Sequence, residues 1–388
     1  MGGILGRRSA MAIRVAFAGG GTGGHIFPAL ALAEEFMRKD PQTQILFFGA
    51  EGGLEARLVK EGFSFCAIRV SPLRGRGLVK ALKSASILPV AARDSFVGLR
   101  RFSPHLIIGV GGYASGPLLV AGILMGIPTV LQEQNLLPGL TNRILGRFVK
   151  RIFLSFEDTA RYFPRSHISV RGNPVRRALL RLRDMPDARH RDVFTVFLLG
   201  GSQGAHRLNE IMVRALDSLE KTKGKLQIIH QTGEADVGWV KAEYERKGFS
   251  VRVFPFITDM VQAYSECHLV ISRAGATTIA ELMAVGRASL LIPYPYAAGG
   301  HQEANARWLA ARGAAEVLME SSLTGALLAE KIIGYMRERK RLSTMEEHAR
   351  AVGRPDAAEK IVEECCRLVN GRTSVSQSSA RGADNRHV

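Results

Sequence analysis

Short apolar runs recur along the chain, each stopping at a cluster of glycine or other small residues and each followed by helical spacing. The first, at 13–18, is interrupted only by Arg14 and breaks at Gly19-Gly20-Gly21-Thr22-Gly23-Gly24-His25. This pattern predicts a strand, a glycine turn and a helix over about 28–37. Further strands are expected at 45–48, at 106–110 and at 128–131. The second of these ends in Gly109-Val110-Gly111-Gly112-Tyr113, the third in Gln132-Glu133-Gln134-Asn135.

The pattern then begins again. A run at 196–199 feeds Gly200-Gly201-Ser202-Gln203-Gly204-Ala205-His206, and when the halves are overlaid Val196 falls on Val15 and His206 on His25. Alternating strands and helices with repeated glycine turns predict an α/β fold of two tandem Rossmann-like domains, each a doubly wound parallel sheet. Ligands in such sheets bind beyond the carboxyl ends of the strands, so the expected site is the interdomain cleft. Pro174 punctuates a linker near 172–175, giving domains over 12–173 and 174–355. A helix over 356–369 is expected to cross back onto the first domain. Residues 1–11 and the small, polar stretch 370–388 read as disordered extensions.

The most informative stretch is 269–309. A strand at 269–271 breaks at Ser272-Arg273-Ala274-Gly275-Ala276, after which Ile279, Leu282 and Met283 keep helical spacing up to Gly286. A strand at 290–292 follows. A helix opening in small residues presents free N–H groups and a positive dipole end, which suits a phosphate. Glu281 lies little more than a turn inside that helix. An acid so near a phosphate site makes sense as an acceptor for ribose hydroxyls, although it would also favour the helix dipole with no ligand at all. Gln302 and Asn305 are three residues apart on the next helix and share a face suited to sugar hydroxyls. Phosphate, ribose and sugar together describe a nucleotide-sugar.

Composition narrows the classes. The 388 residues are 46% hydrophobic, enough for two buried cores. A net charge of +18 calls for an acidic partner: a phosphorylated substrate, an anionic membrane surface or nucleic acid. No basic stripe interleaved with aromatics is present, so nucleic acid is not expected. Cys66, Cys267, Cys365 and Cys366 have neither metal nor disulfide-framework spacing, which points to a reducing compartment. No secretory signal is evident in residues 1–10, and the apolar stretch 116–131 is divided by Gly126-Ile127-Pro128 into a helix and a strand rather than one membrane span.

Two acid/base candidates stand at expected strand ends: His25, where the first glycine turn meets its helix, and Glu133. Gly19-x-Gly21-x-x-Gly24 also satisfies the dinucleotide fingerprint, with Glu51 available as the ribose acid, so a nicotinamide enzyme is one alternative. Segment 71–94 is basic and amphipathic, with Leu78, Leu82 and Ile87 against Arg74, Arg76, Lys80, Lys83 and Arg93. It fits an anionic membrane, where each basic residue contributes on the order of 1 kcal/mol. The plain alternative is an ordinary Rossmann helix with a solvated face.

Several segments carry a more specific resemblance: GGTGGHIFPALALA (20–33), GVGGYASGP (109–117), EQN (133–135), GNPVR (172–176), GGSQGA (200–205) and RAGATTIAE with HQ..NA (273–306). In these the chain resembles the MurG family of bacterial transferases over nearly all of 11–369. The resemblance implies a GT-B architecture and an inverting transfer, without metal or other cofactor, of N-acetylglucosamine from UDP-N-acetylglucosamine to the C4 hydroxyl of lipid I, giving lipid II at the cytoplasmic face of the inner membrane. The first domain would take the acceptor and meet the membrane, and the second would hold the donor. On the donor side it implies Ser202 and Arg176 at the phosphates and Ile257 at uracil. Ala276, Thr277, Thr278, Ile279, Ala280 and Glu281 would meet phosphates and ribose, with Gln302 and Asn305 at the sugar. Thr22, Gly23, Gly24 and Asn135 would face the donor from the first domain. Gly21, Gly111 and Gly112 would take the acceptor diphosphate and Tyr113 would position the acceptor. The favoured base is His25, then Glu133. Gln132 departs from the family, which usually has histidine there. The alternatives are a related transferase with another lipid acceptor, such as diacylglycerol, and a peripheral membrane scaffold.

Overall fold

The computed structural model describes residues 12–20, 23–50, 56, 62–70, 78–112, 114–189, 192–201 and 204–383. Two parallel sheets organise it. The first has the order β3-β2-β1-β4-β5-β6-β7, built from β1 (Arg14–Ala18), β2 (Gln44–Ala50), β3 (Ser64–Ile68), β4 (Leu106–Gly109), β5 (Thr129–Glu133), β6 (Arg151–Leu154) and β7 (Ile168–Val170). The second has the order β10-β9-β8-β11-β12-β13, built from β8 (Phe194–Leu199), β9 (Leu226–Gln231), β10 (Ser250–Phe254), β11 (Leu269–Ser272), β12 (Ser289–Leu291) and β13 (Glu316–Val317). In both, the first strand lies centrally, with Val15 paired to Ile45 and Leu106, and Val196 paired to Ile228 and Leu269. The expected pair of doubly wound domains is therefore present, with matching strand order in the two halves.

The central strands are apolar because helices cover both faces of each sheet. Val15, Phe17 and Ile108 face one layer of the first domain, and Ala16, Ile107 and Leu131 face the other. The 116–131 stretch divides as expected into a helix, Ser115–Leu124, and β5, with Gly126 at φ +68° between them. No described helix is long and apolar enough to cross a membrane.

Three expected boundaries shift. The first helix spans Gly23–Lys39, so Pro28 lies inside it instead of opening it. Glycines 23 and 24 adopt helical geometry, and the proline only removes one bond from the second turn. Of the basic segment 71–94, residues 71–77 lie outside the described residues, and a helix runs Leu78–Phe102. The last helix runs Ala357–Ala383, beyond the expected end at 369. Residues 1–11 and 384–388 lie outside the described residues. The start of that last helix returns to the first domain, where Ala358, Ile361, Val362 and Cys365 join the cluster of Phe17, Ile26 and Phe36.

Candidate active site

The carboxyl ends of β1 and β4 carry interlocked glycine loops. A Cβ at Gly19 would strike Val110, and one at Gly112 (φ +79°) would strike the Gly20 carbonyl oxygen. Gly111, at φ +93°, lies against the His25 ring, where a Cβ would sit 2.8 Å from Cδ2 and 3.0 Å from Nε2. Gly111 and Gly112 need glycine for both space and dihedral, and Gly19 for space alone. Ser115 fastens the loops together by accepting from Gly111 N (3.1 Å) and donating to Ala18 O (2.6 Å). The Gln134 amide donates to Val110 O at 2.8 Å.

His25 therefore stands at the mouth of a rigid loop pair. Burial pulls its pKa down to about 4, with His301 adding to the effect and a hydrogen bond to the Gly20 carbonyl opposing it. The imidazole is neutral at pH 7, as a general base requires. Gly21, Thr22, Tyr113, Ser202 and Glu51 lie outside the described residues.

Glu133 has a different setting. Its Oε1 accepts from Asn135 N (3.0 Å) and Asn135 Nδ2 (3.4 Å), and its Oε2 from Asn142 Nδ2 (2.8 Å) and Gly139 N (3.3 Å). Burial raises its pKa while these bonds lower it. The carboxylate ties down the 133–142 turn and faces protein donors on both oxygens. The Gln132 amide donates to Gly172 O at 3.2 Å, bracing the first domain against the linker.

In the second domain, Gly275 caps the Ala276–Val285 helix in extended geometry with no side-chain hydrogen bond, so the first-turn amides are left for a ligand. Below them Glu281 is buried, accepting from the Tyr264 hydroxyl at 3.1 Å and facing Arg176 at 3.6 Å. Arg176 in turn stacks over Phe27 of the first domain, 4.7 Å from the ring centre. Beside Arg176 a cavity of about 360 Å³ is lined by Leu179, Thr258, Asp259 and Met260. Ile257 N donates to Gln231 Oε1 (2.8 Å), and Gln231 Nε2 donates to Gly201 O (2.8 Å), so one glutamine joins the second glycine turn to the segment expected at uracil. A smaller cavity, about 260 Å³, lies at the hinge among Ser155, Asn173, Trp308 and Arg354, and includes neither His25 nor Glu281.

The two domains meet across the cleft through expected ligand-binding residues. Thr277 Oγ1 donates to Gly24 O at 2.8 Å. Asn305 is fully buried; it accepts from Leu136 N (2.9 Å) and donates to Asn135 Oδ1 (3.2 Å) and Ala274 O (3.4 Å). Gln302 accepts from Tyr294 N at 2.9 Å and shapes the loop before its helix. The shared face expected for Gln302 and Asn305 is thus divided between a loop and the interdomain contact, because helix His301–Ala310 packs at the domain boundary. The sequence reading missed Gln134, Gln231 and Tyr264, whose polar partners are distant in the chain.

Two Rossmann-like domains, a glycine-capped helix N-terminus above a buried acid, and a histidine in the first turn of the facing helix fit a nucleotide-sugar glycosyltransferase. Family models described as glycosyltransferase family 28 N-terminal domain and C-terminal domain match residues 15–154 and 195–361. A protein of Syntrophus aciditrophicus is 45% identical over 360 residues, covering 92% of this chain and 99% of its own length. One of Myxococcus xanthus is 45% identical over 358 residues, covering 92% and 93%. Both are named UDP-N-acetylglucosamine–N-acetylmuramyl-(pentapeptide) pyrophosphoryl-undecaprenol N-acetylglucosamine transferase. The crystal structure of Acinetobacter baumannii MurG superposes with a TM-score of 0.69 at 33% identity, covering 90% of this chain and 98% of that one. The chain belongs to glycosyltransferase family 28 and, within it, to the MurG family. The nicotinamide alternative falls with that assignment.

Proposed function

We propose that this enzyme transfers N-acetylglucosamine from UDP-N-acetylglucosamine to the C4 hydroxyl of the N-acetylmuramyl residue of lipid I, giving lipid II. The observation that carries the reading is the Gly275-capped helix N-terminus with Glu281 beneath it, set opposite His25. Domain 174–355 takes the donor, with uracil near Ile257, ribose hydroxyls on Glu281, and diphosphate at Ser202, Arg176 and the amides of 276–278. Domain 12–173, with 356–369 packed on it, takes the acceptor diphosphate on the glycine loops around Gly21, Gly111 and Gly112. The acceptor oxygen attacks the anomeric carbon as the bond to UDP breaks, inverting that centre. Neutral His25 removes the hydroxyl proton, and the helix N-terminus with Arg176 meets the charge that develops on UDP. Glu133 serves as the anchor that presents Asn135 to the cleft.

The acceptor is lipid-linked, so the first domain works at a membrane. Three neighbouring helices expose Phe96, Val97, Val120, Leu124, Leu140 and Ile144, with Phe148 just beyond. Arg93, Arg143, Arg147 and Lys150 are exposed on the same elements and on the segment just after Leu145. Apolar anchors with basic neighbours suit an anionic surface at the cytoplasmic face of the inner membrane.

Calorimetric titration with UDP-N-acetylglucosamine and UDP-N-acetylgalactosamine, followed by turnover of lipid I, tests the proposal. Preference for the first nucleotide and formation of lipid II support it. Binding without transfer to lipid I, but with transfer to diacylglycerol, would replace the acceptor.

A further inference from the structure

We infer that Tyr264 is a positioning residue of the donor site, holding the Glu281 carboxylate in the orientation that accepts both hydroxyls of a ribonucleotide. The inference rests on the proposed role of Glu281 at the ribose. Tyr264 belongs to helix Met260–Glu266 and is fully buried. Its ring packs edge-on against Phe197 of β8, with centres 5.5 Å apart, and its own carbonyl accepts from Arg287 Nε at 2.6 Å. Both ends of the residue are therefore fixed before any ligand arrives.

Among the described residues the hydroxyl has one hydrogen-bond partner, Glu281 Oε2 at 3.1 Å. Burial and the adjacent carboxylate push the phenol well above its ordinary pKa, so it remains a donor at any working pH. A carboxylate offers about four acceptor positions. Tyr264 takes one on Oε2, while Arg176 Nη2 lies 3.6 Å from Oε1. Each oxygen keeps an acceptor position, and the plane between them is set by the tyrosine. A vicinal diol needs two acceptors at a fixed spacing, whereas a 2′-deoxy sugar needs one. Holding the carboxylate still makes the site selective for the diol, because a freely turning acid satisfies either sugar.

The test compares binding of UDP and 2′-deoxy-UDP to the full chain carrying Tyr264→Phe, which keeps the ring against Phe197 and removes only the hydroxyl. The wild type is expected to prefer UDP by about 10-fold, and the variant by about 2-fold. KM for UDP-N-acetylglucosamine should rise about 10-fold with kcat nearly unchanged, the pattern of lost ground-state binding. On a Glu281→Gln background, Tyr264→Phe should leave the UDP to 2′-deoxy-UDP ratio as it is, since it acts through the acid. Unchanged discrimination in Tyr264→Phe, or equal loss of both nucleotides, would overturn the inference. A wild type that transfers sugar but does not discriminate would remove Glu281 from the ribose and the inference with it, leaving the transfer reaction intact.

Discussion

A histidine walled in by glycine makes a base with little freedom to move. His25 is held by Gly111 on one side and the Gly20 carbonyl on the other, and His25→Ala is expected to lower kcat by about 100-fold or more. Single-turnover measurements should show donor binding preserved in that variant. Burial shifts the imidazole down to about 4, so the basic form persists well below the 6.5 of a free imidazole. The acid limb of kcat/KM is accordingly expected near pH 4, and a limb at 6.5 in the pH–rate profile would assign it to another group. Gly112→Ala forces a Cβ onto the Gly20 backbone at a φ of +79°, and should cost about 1–3 kcal/mol together with most activity, measured by thermal unfolding and turnover. The places of His25 and Glu281 in the fold were legible in the sequence because strand ends and helix starts are local signals. The surroundings of Glu133 were not: three of its donors come from the loop that follows and a fourth from the next helix, and only folding shows that they fill both oxygens.

At the scale of elements, the apolar runs located strands well because both faces of each sheet are covered, leaving no competing polar signal. Helix starts were less legible. The first glycine turn looks like a loop up to Pro28, yet the structure winds residues 23–27 into the helix, since helical dihedrals are open to glycine even though it favours them less than other residues do. Of the basic segment 71–94, only residues 89–94 have described side chains; beyond it, exposed apolar side chains from Phe96 to Phe148 lie on neighbouring helices. Hydrophobicity alone does not reveal exposure, because a buried and a solvent-facing leucine read alike. The 133–142 turn is an element in its own right, pinned by one carboxylate. Glu133→Ala is expected to speed amide hydrogen exchange across 135–142 and to slow turnover on the order of 100-fold by displacing Asn135.

The whole molecule was legible as two matching halves, and its strand orders agree. How the halves touch was not, because Asn305 meets Leu136 and Thr277 meets Gly24 across separations of 169 and 253 residues. Membrane contact is a property at this scale. Replacing Leu124 and Phe148 with serine should weaken sedimentation with anionic vesicles about 10-fold and leave UDP binding unchanged. Acid stability is another. His230 is buried between Tyr244 and Asn209, and burial lowers it to about 3; His268 is lowered to about 4. The unfolded chain then binds more protons than the folded one between pH 6.5 and those values. Stability is full above pH 6.5 and falls as the pH drops through that window, which calorimetric melting from pH 7.5 to 4.5 should record.

Pro28 has no N–H to offer the Gly24 carbonyl four residues back, and it is this carbonyl that Thr277 reaches from the other domain. The defect in one helix is a socket for the other half of the enzyme. A search for heat-tolerant variants would favour Pro28→Ala, which restores the missing helical bond and improves the segment on its own. In the same stroke it brings a second, competing donor to the carbonyl that Thr277 uses. Such a variant should melt later and turn over more slowly, so selection for ruggedness and selection for rate would pull this one position in opposite directions.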